Sequence, residues 1–389
     1  MSRQVGRDQT KAGGSCHYAR TAGLMALCVA LSSVVGCRHA PAARLEAREY
    51  APGMTRREFV DPGRGRWSGE GPRPITTLVW YPTDASPAET LRIGPPDAPL
   101  FDAGVVAGDA AIARGGRRPL VLLSHGTGGS ALQMAWLGIG LARAGFIAAA
   151  VNHHGNTGAE PPFDARGFFL WWERADDLRV ALDRLLADPV LGPHVDSARV
   201  AAVGFSLGGY TVLSVAGGRT DLAAFRAFCE SAARDFTCGP QPEFPDAPER
   251  FARVAGTDSA ARASLARAGD SHADPRVRAA VALAPAVAKA LTPPSLGSIR
   301  VPLLLVVGDS DHVAPPATNA RYVAAAVPGA RFLAVPRAGH YVFLDRCTDR
   351  GRQLIPATCA DAEGVDRARV HEHVVATVAR FLRDALGAP

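Results

Sequence analysis

The chain has 389 residues, 47% hydrophobic and 21% charged, a globular composition long enough for one catalytic domain with insertions. Its formal net charge of +6 is not a nucleic-acid footprint: Arg3, Arg7, Lys11 and Arg20 against Asp8 place +3 of it in the first 36 residues. The remaining basic residues are arginines scattered among carboxylates, apart from Lys289.

The basic start, the apolar run of residues 22–35 and the closing Val34-Val35-Gly36-Cys37 have the form of an export signal ending in a lipoprotein cleavage box. The run falls short of the roughly 20 residues a membrane span needs. We therefore expect a signal peptide over 1–36 and lipidation at Cys37. The alternative is simple secretion with cleavage near Ala40 or Ala43. An Ala-, Arg- and Pro-rich tether is expected over 37–56, and a catalytic domain over 57–389.

Within that domain, residues 73–82 read as a strand stopped by Pro82, and 83–118 as an irregular excursion. Apolar runs near 119–124, 146–152, 200–205, 277–283, 302–307 and 330–335 read as further strands. They alternate with helical segments near 130–143, 171–187, 207–215, 317–326 and 366–386, the pattern of a mostly parallel sheet covered by helices on both faces. Residues 220–275 break this rhythm with prolines and charges and are expected to form a cap insertion.

The stretch VAAVGFSLGGY, residues 200–210, joins a strand to a helix through Gly-x-Ser-x-Gly. In such an elbow the serine sits on a strained turn with small neighbours, so Ser206 is the candidate nucleophile and the Leu207 N–H a candidate oxyanion donor. An acyl-transfer serine needs a base, and the base needs an acid holding its tautomer. Asp311 and His340 follow later strands in the order Ser, acid, His. Asp309 is the runner-up acid, expected instead to cap a turn through its side chain. The turn Ser124-His125-Gly126-Thr127 offers the second oxyanion donor, the Thr127 N–H, with His125 bracing the loop. His153, His154 and Asn156 follow a strand on the same edge and are candidate pocket residues; a polar loop with one histidine bonded to backbone is the other reading. Phe168, Phe169, Trp171 and Trp172 suit the core better than an acyl-pocket wall.

Of seven cysteines, four remain after Cys37: Cys229, Cys238, Cys347 and Cys359. An even number in an exported chain favours disulfides, and we expect the two local pairs, 229 with 238 and 347 with 359. The rival is a zinc site, against which stand the lack of a C-x-x-C spacing and of interleaved histidines.

Taken together, RPITTLVWYP, SHGTGG, GFSLGGY, GDSDHVAPP and GHYVF resemble bacterial α/β hydrolases of the platelet-activating-factor acetylhydrolase and predicted dienelactone hydrolase group, over nearly all of residues 55–386. Asp311 with Pro315 matches the G-x-x-D-x-x-x-P loop of these hydrolases. Two departures matter. Dienelactone hydrolases proper use a cysteine nucleophile, where this chain has Ser206. The animal acetylhydrolases take their acid one strand earlier, where this chain has Leu283-Ala284-Pro285-Ala286. The resemblance implies an α/β-hydrolase fold and a serine hydrolase of carboxylic esters without metal or organic cofactor. Its substrate would be a small-molecule or lipid ester; the leader and Cys37 imply a lipid anchor in the bacterial cell envelope, periplasm-facing or at the cell surface, and the scattered charge implies no nucleic-acid partner. An amidase or peptidase on the same triad, or a non-catalytic binding lipoprotein, are the alternatives.

Overall fold

A computed structural model describes residues 49–387. The expected signal peptide, the lipidation site Cys37 and the tether up to residue 48 lie outside the described residues.

Among the described residues, eleven strands form one sheet. In chain order they are β1 (Ala51–Gly65), β2 (Pro72–Thr83), β3 (Glu89–Ile93), β4 (Phe101–Gly108), β5 (Arg118–Ser124), β6 (Ile147–Val151), β7 (Val195–Phe205), β8 (Val277–Leu283), β9 (Leu303–Gly308), β10 (Arg331–Val335) and β11 (Arg346–Cys347). They lie side by side as β10-β9-β8-β7-β5-β6-β2-β1-β4-β11, with β3 on β4. From β10 through β6 every pairing is parallel; β2 against β6 and β1 against β2 are antiparallel.

The parallel strands are short apolar runs because helices cover both faces, and their side chains divide by strict alternation. Leu120 and Leu122 join a cluster with Leu178 and Leu182 of the helix Glu173–Ala187 and with Tyr210 and Leu213 of the helix Leu207–Val215. Val121 and Leu123 join the opposite cluster, with Leu137 of the helix Ala135–Arg143 and Val374 and Val378 of the helix Arg367–Leu386. A leucine buried this way stabilises the fold by about 1.5–3 kcal/mol, so the alternation fixes which face each helix packs on.

Two expectations need correction. The strand β1 begins at Ala51, so the last residues of the expected tether belong to the sheet. The segment 83–118, read as irregular, contributes β3 and β4. The strands β1, β3 and β4 are partly exposed, and Pro52 and Gly104 interrupt the pattern of β1 and β4, so their apolar signal is weak.

Between β7 and β8 the insertion forms helices Leu222–Glu230, Ala247–Ala255 and Ser259–Ala266. Asp221 and Asp258 cap the first and third, accepting from Ala224 N and Ala261 N at 2.8 Å each. The four cysteines form the disulfides Cys229–Cys238, inside this insertion, and Cys347–Cys359, just after the loop that carries His340.

Candidate active site

The backbone of Ser206 is the strained point of the elbow. It has φ 56° and ψ −117°, a positive φ rare for a residue with a side chain, between the end of β7 and the helix Leu207–Val215. Its amide donates to Leu283 O at 2.9 Å, which ties the turn to β8. The flanking glycines are required by close approach. A Cβ at Gly204 would lie 2.0 Å from the Gly208 carbonyl oxygen, and one at Gly208 would lie 2.0 Å from Ser124 O.

Three side chains from three loops then meet. His340 Nε2 lies 2.9 Å from Ser206 Oγ, and His340 Nδ1 lies 2.7 Å from Asp311 Oδ2. The other oxygen of Asp311 accepts from Val313 N at 2.9 Å and Ala314 N at 2.8 Å. All three residues are buried, Ser206 at 7% exposure and Asp311 at 2%. With the carboxylate ionised, Nδ1 carries the proton and Nε2 is the acceptor facing the hydroxyl, the arrangement a general base needs.

Asp309 does not touch this set. It is exposed, and its Oδ1 accepts from Arg337 N at 2.6 Å and from Ser310 Oγ at 3.0 Å, stitching the loop after β9 to the loop after β10.

The turn after β5 packs directly on the serine: a Cβ at Gly126 would lie 3.2 Å from Ser206 Cβ. Thr127 lines the cleft over Ser206, and Leu207 supplies the first amide of the helix, where intrahelical acceptors are lacking. Asn156 holds the turn from outside, accepting from Gly128 N at 2.6 Å and donating to Gly167 O at 3.1 Å.

His153 and His154 do not line the cleft, contrary to expectation. His153 is buried behind the turn, with Nε2 2.9 Å from Ser124 Oγ and Nδ1 2.8 Å from Asp177 Oδ2. Burial, then the nearby Arg174 charge, lower its pKa to about 4, so its imidazole is neutral. His154 accepts from Trp67 N at 3.1 Å and pairs with Glu160 at 3.2 Å. The aromatics of 168–172 pack inward: Phe168 meets Phe244 edge-on at 5.1 Å, and Phe169 stacks on Phe251 at 4.8 Å.

The cleft is small, about 190 Å³. Its walls include residues that the sequence did not single out: Phe101 from β4, Phe236 and Glu243 from the insertion, and Tyr341 beside the histidine. Glu243 is exposed as a residue, yet protein crowds its cleft side, and desolvation raises its pKa against the pull of His340. A larger hollow of about 720 Å³, lined by Trp136, Asp345 and His371, does not include Ser206.

Similar proteins fit this architecture. A ferulic acid esterase from Streptomyces cinnamoneus superposes with a TM-score of 0.58 at 22% identity, over 90% of this chain and 93% of that one. A cutinase, est2, from Thermobifida alba is 33% identical over 106 residues, 27% of this chain, so the match spans about a third (32%) of that relative's length. The family model described as serine aminopeptidase, S33 (Hydrolase_4) matches residues 115–346, a span that runs from the start of β5 past His340. Since that span covers more than half of the chain, this protein belongs to the serine aminopeptidase S33 family of α/β hydrolases and is a serine hydrolase.

Proposed function

We propose that the protein is an exported hydrolase of carboxylic esters working through an acyl-enzyme on Ser206. The observation that carries this reading is the hydrogen-bonded series Ser206–His340–Asp311, at 2.9 and 2.7 Å, beneath a cleft. His340 Nε2 takes the Ser206 proton as Oγ bonds to the ester carbonyl carbon. The carbonyl electron pair moves to oxygen, where the Thr127 and Leu207 N–H groups receive it. When that pair returns, the C–O bond to the alcohol breaks, and His340 delivers its proton to the leaving oxygen. Water, deprotonated by the same imidazole, then releases the acid and restores Ser206.

The ester preference is supported by the names of the similar proteins, a cutinase and a ferulic acid esterase, and by the resemblance of the sequence motifs to the acetylhydrolase and dienelactone hydrolase group. The family description, an aminopeptidase, favours the amide reading on the same triad. A panel of p-nitrophenyl esters and matched p-nitroanilides separates the two. The cleft, about 190 Å³, is below the roughly 300–1,000 Å³ of drug-sized sites. Acetate and butyrate esters are therefore expected to turn over faster than the dodecanoate, and all esters faster than the anilides. Faster anilide hydrolysis would overturn the ester reading; a preference for the long chain would overturn the size argument.

Export is supported by the signal-like start and by two disulfides, which persist in oxidising compartments. Lipid anchoring at Cys37 predicts that Cys37→Ala moves the protein from the membrane to the soluble envelope fraction. Unchanged fractionation would remove the anchor from the proposal.

A further inference from the structure

Behind the active site lies a second Ser–His–Asp series that no substrate reaches. Ser124, His153 and Asp177 have 0%, 1% and 3% exposure. Burial alone would raise the Asp177 pKa, but the Arg64 charge and the His153 hydrogen bond outweigh it and hold the carboxylate ionised. Arg64 Nη2 reaches Asp177 Oδ1 at 2.6 Å. The direction of every bond in the series follows. His153 Nδ1–H donates to Asp177 Oδ2 at 2.8 Å, so Nε2 is an acceptor and receives the hydrogen bond of the Ser124 hydroxyl at 2.9 Å.

From here the series runs to the turn over Ser206. The His153 amide donates to His125 Nε2 at 3.2 Å, which leaves the proton of His125 on Nδ1. That Nδ1–H donates to Gly126 O at 2.7 Å, an oxygen that also accepts from Gly129 N at 3.3 Å. Burial, then the Arg174 charge, keep His125 neutral, and Arg174 Nη2 donates to the His125 carbonyl oxygen. The Gly126 carbonyl shares a peptide unit with the Thr127 N–H, and in a trans peptide the two point in opposite directions. Capturing the carbonyl from the buried side therefore turns the Thr127 N–H toward the cleft that Thr127 lines. It also polarises that N–H, since a carbonyl that accepts a hydrogen bond makes its own amide a better donor.

We propose that His125, held in its Nδ1–H tautomer by the main-chain amide of His153, whose side chain the buried Ser124 and Asp177 anchor, is the positioning residue that aims and polarises the Thr127 oxyanion donor. This rests on the oxyanion role given to Thr127 above. Ser124 is not a second nucleophile, and the series moves no proton during turnover; it fixes one peptide plane.

The test compares His125→Leu, which removes the donor to Gly126 O, with His125→Asn, whose amide N–H reaches the place of Nδ1–H. The assay is p-nitrophenyl acetate hydrolysis, with a trifluoromethyl ketone as a second probe; the ketone adds Ser206 Oγ to its carbonyl carbon and leaves an oxyanion in the same hole. Loss of one oxyanion donor lowers kcat by about 10²–10³. His125→Leu is expected to lose kcat in that range with KM changed less than about threefold, and to bind the ketone more weakly by the same factor. His125→Asn is expected to recover most of both. Ser124→Ala, which loosens His153 with little change of volume, is expected to lower kcat about tenfold, a part of the loss from removing one oxyanion donor. A folded His125→Leu protein with wild-type kcat and ketone affinity would overturn the proposal, as would a His125→Asn protein no better than His125→Leu. If His125→Leu does not fold, Ser124→Ala decides on the same two readouts, and unchanged values overturn the proposal. Ser206→Ala separates the layers: retained turnover in that variant removes the active-site reading itself, whereas its loss alongside unaffected His125 variants removes this inference alone.

Discussion

Ser206→Ala and His340→Ala are each expected to abolish labelling by a fluorophosphonate probe and to lower ester turnover by about 10⁶ in kcat, the scale found when a triad serine or histidine is removed. The two losses should not add. Without Oγ there is no nucleophile for the imidazole to activate, and without the imidazole the hydroxyl keeps its proton, so the double variant should be as slow as either single one. The fold should survive both changes. Alanine at 206 keeps the backbone at φ 56°, where a serine already bears the strain, and Asp311 without His340 still accepts from Val313 N and Ala314 N. Steady-state kinetics together with thermal melts check this. A folded Ser206→Ala protein that keeps even a hundredth of the wild-type rate would place the nucleophile elsewhere.

The parallel half of the fold was legible because its chemistry is uniform. Strands such as β5 (PLVLLS after Arg118) and β9 (LLLVVG) are covered on both faces and read as unbroken apolar runs. Ser206, Asp311 and His340 stand just past the carboxyl ends of β7, β9 and β10, where a doubly covered sheet presents its loops. The remaining strands were harder to read: β1 carries Pro52, Arg56, Arg57 and Glu58 within a half-exposed pattern, and the apolar pattern of β4 is interrupted by Gly104. The pocket assignment of His153 and His154 failed for a different reason. Position after a strand says which edge a residue occupies, not which way it faces, and His153 is turned inward by Ser124 and Asp177, 29 and 24 residues away in the chain. Glu243 had no signal at all, since a cap residue meets the cleft through the path of an irregular insertion and not through any local periodicity.

Asp311→Asn is expected to lower kcat about ten-thousandfold with little change in KM, whereas Asp309→Asn should change it less than a few fold. The reason lies in the two oxygens of Asp311. Oδ1 is held by two backbone donors, Val313 N at 2.9 Å and Ala314 N at 2.8 Å, so in the asparagine variant the amide oxygen must take that place. Its NH2 group then faces His340 Nδ1, where the wild-type carboxylate accepts the Nδ1–H hydrogen bond at 2.7 Å. Two donors cannot share that contact, and the imidazole moves its proton to Nε2, the nitrogen 2.9 Å from Ser206 Oγ. A protonated Nε2 cannot accept the serine proton, and the base is lost with the site's geometry intact. At position 309 the amide oxygen of asparagine can still accept from Arg337 N, so the stitch between the two loops persists and the triad is untouched. Single-turnover kinetics of the two variants, with crystal structures or melts to show that both are folded, distinguish these outcomes. A larger loss at Asp309 than at Asp311 would reverse the assignment of the acid.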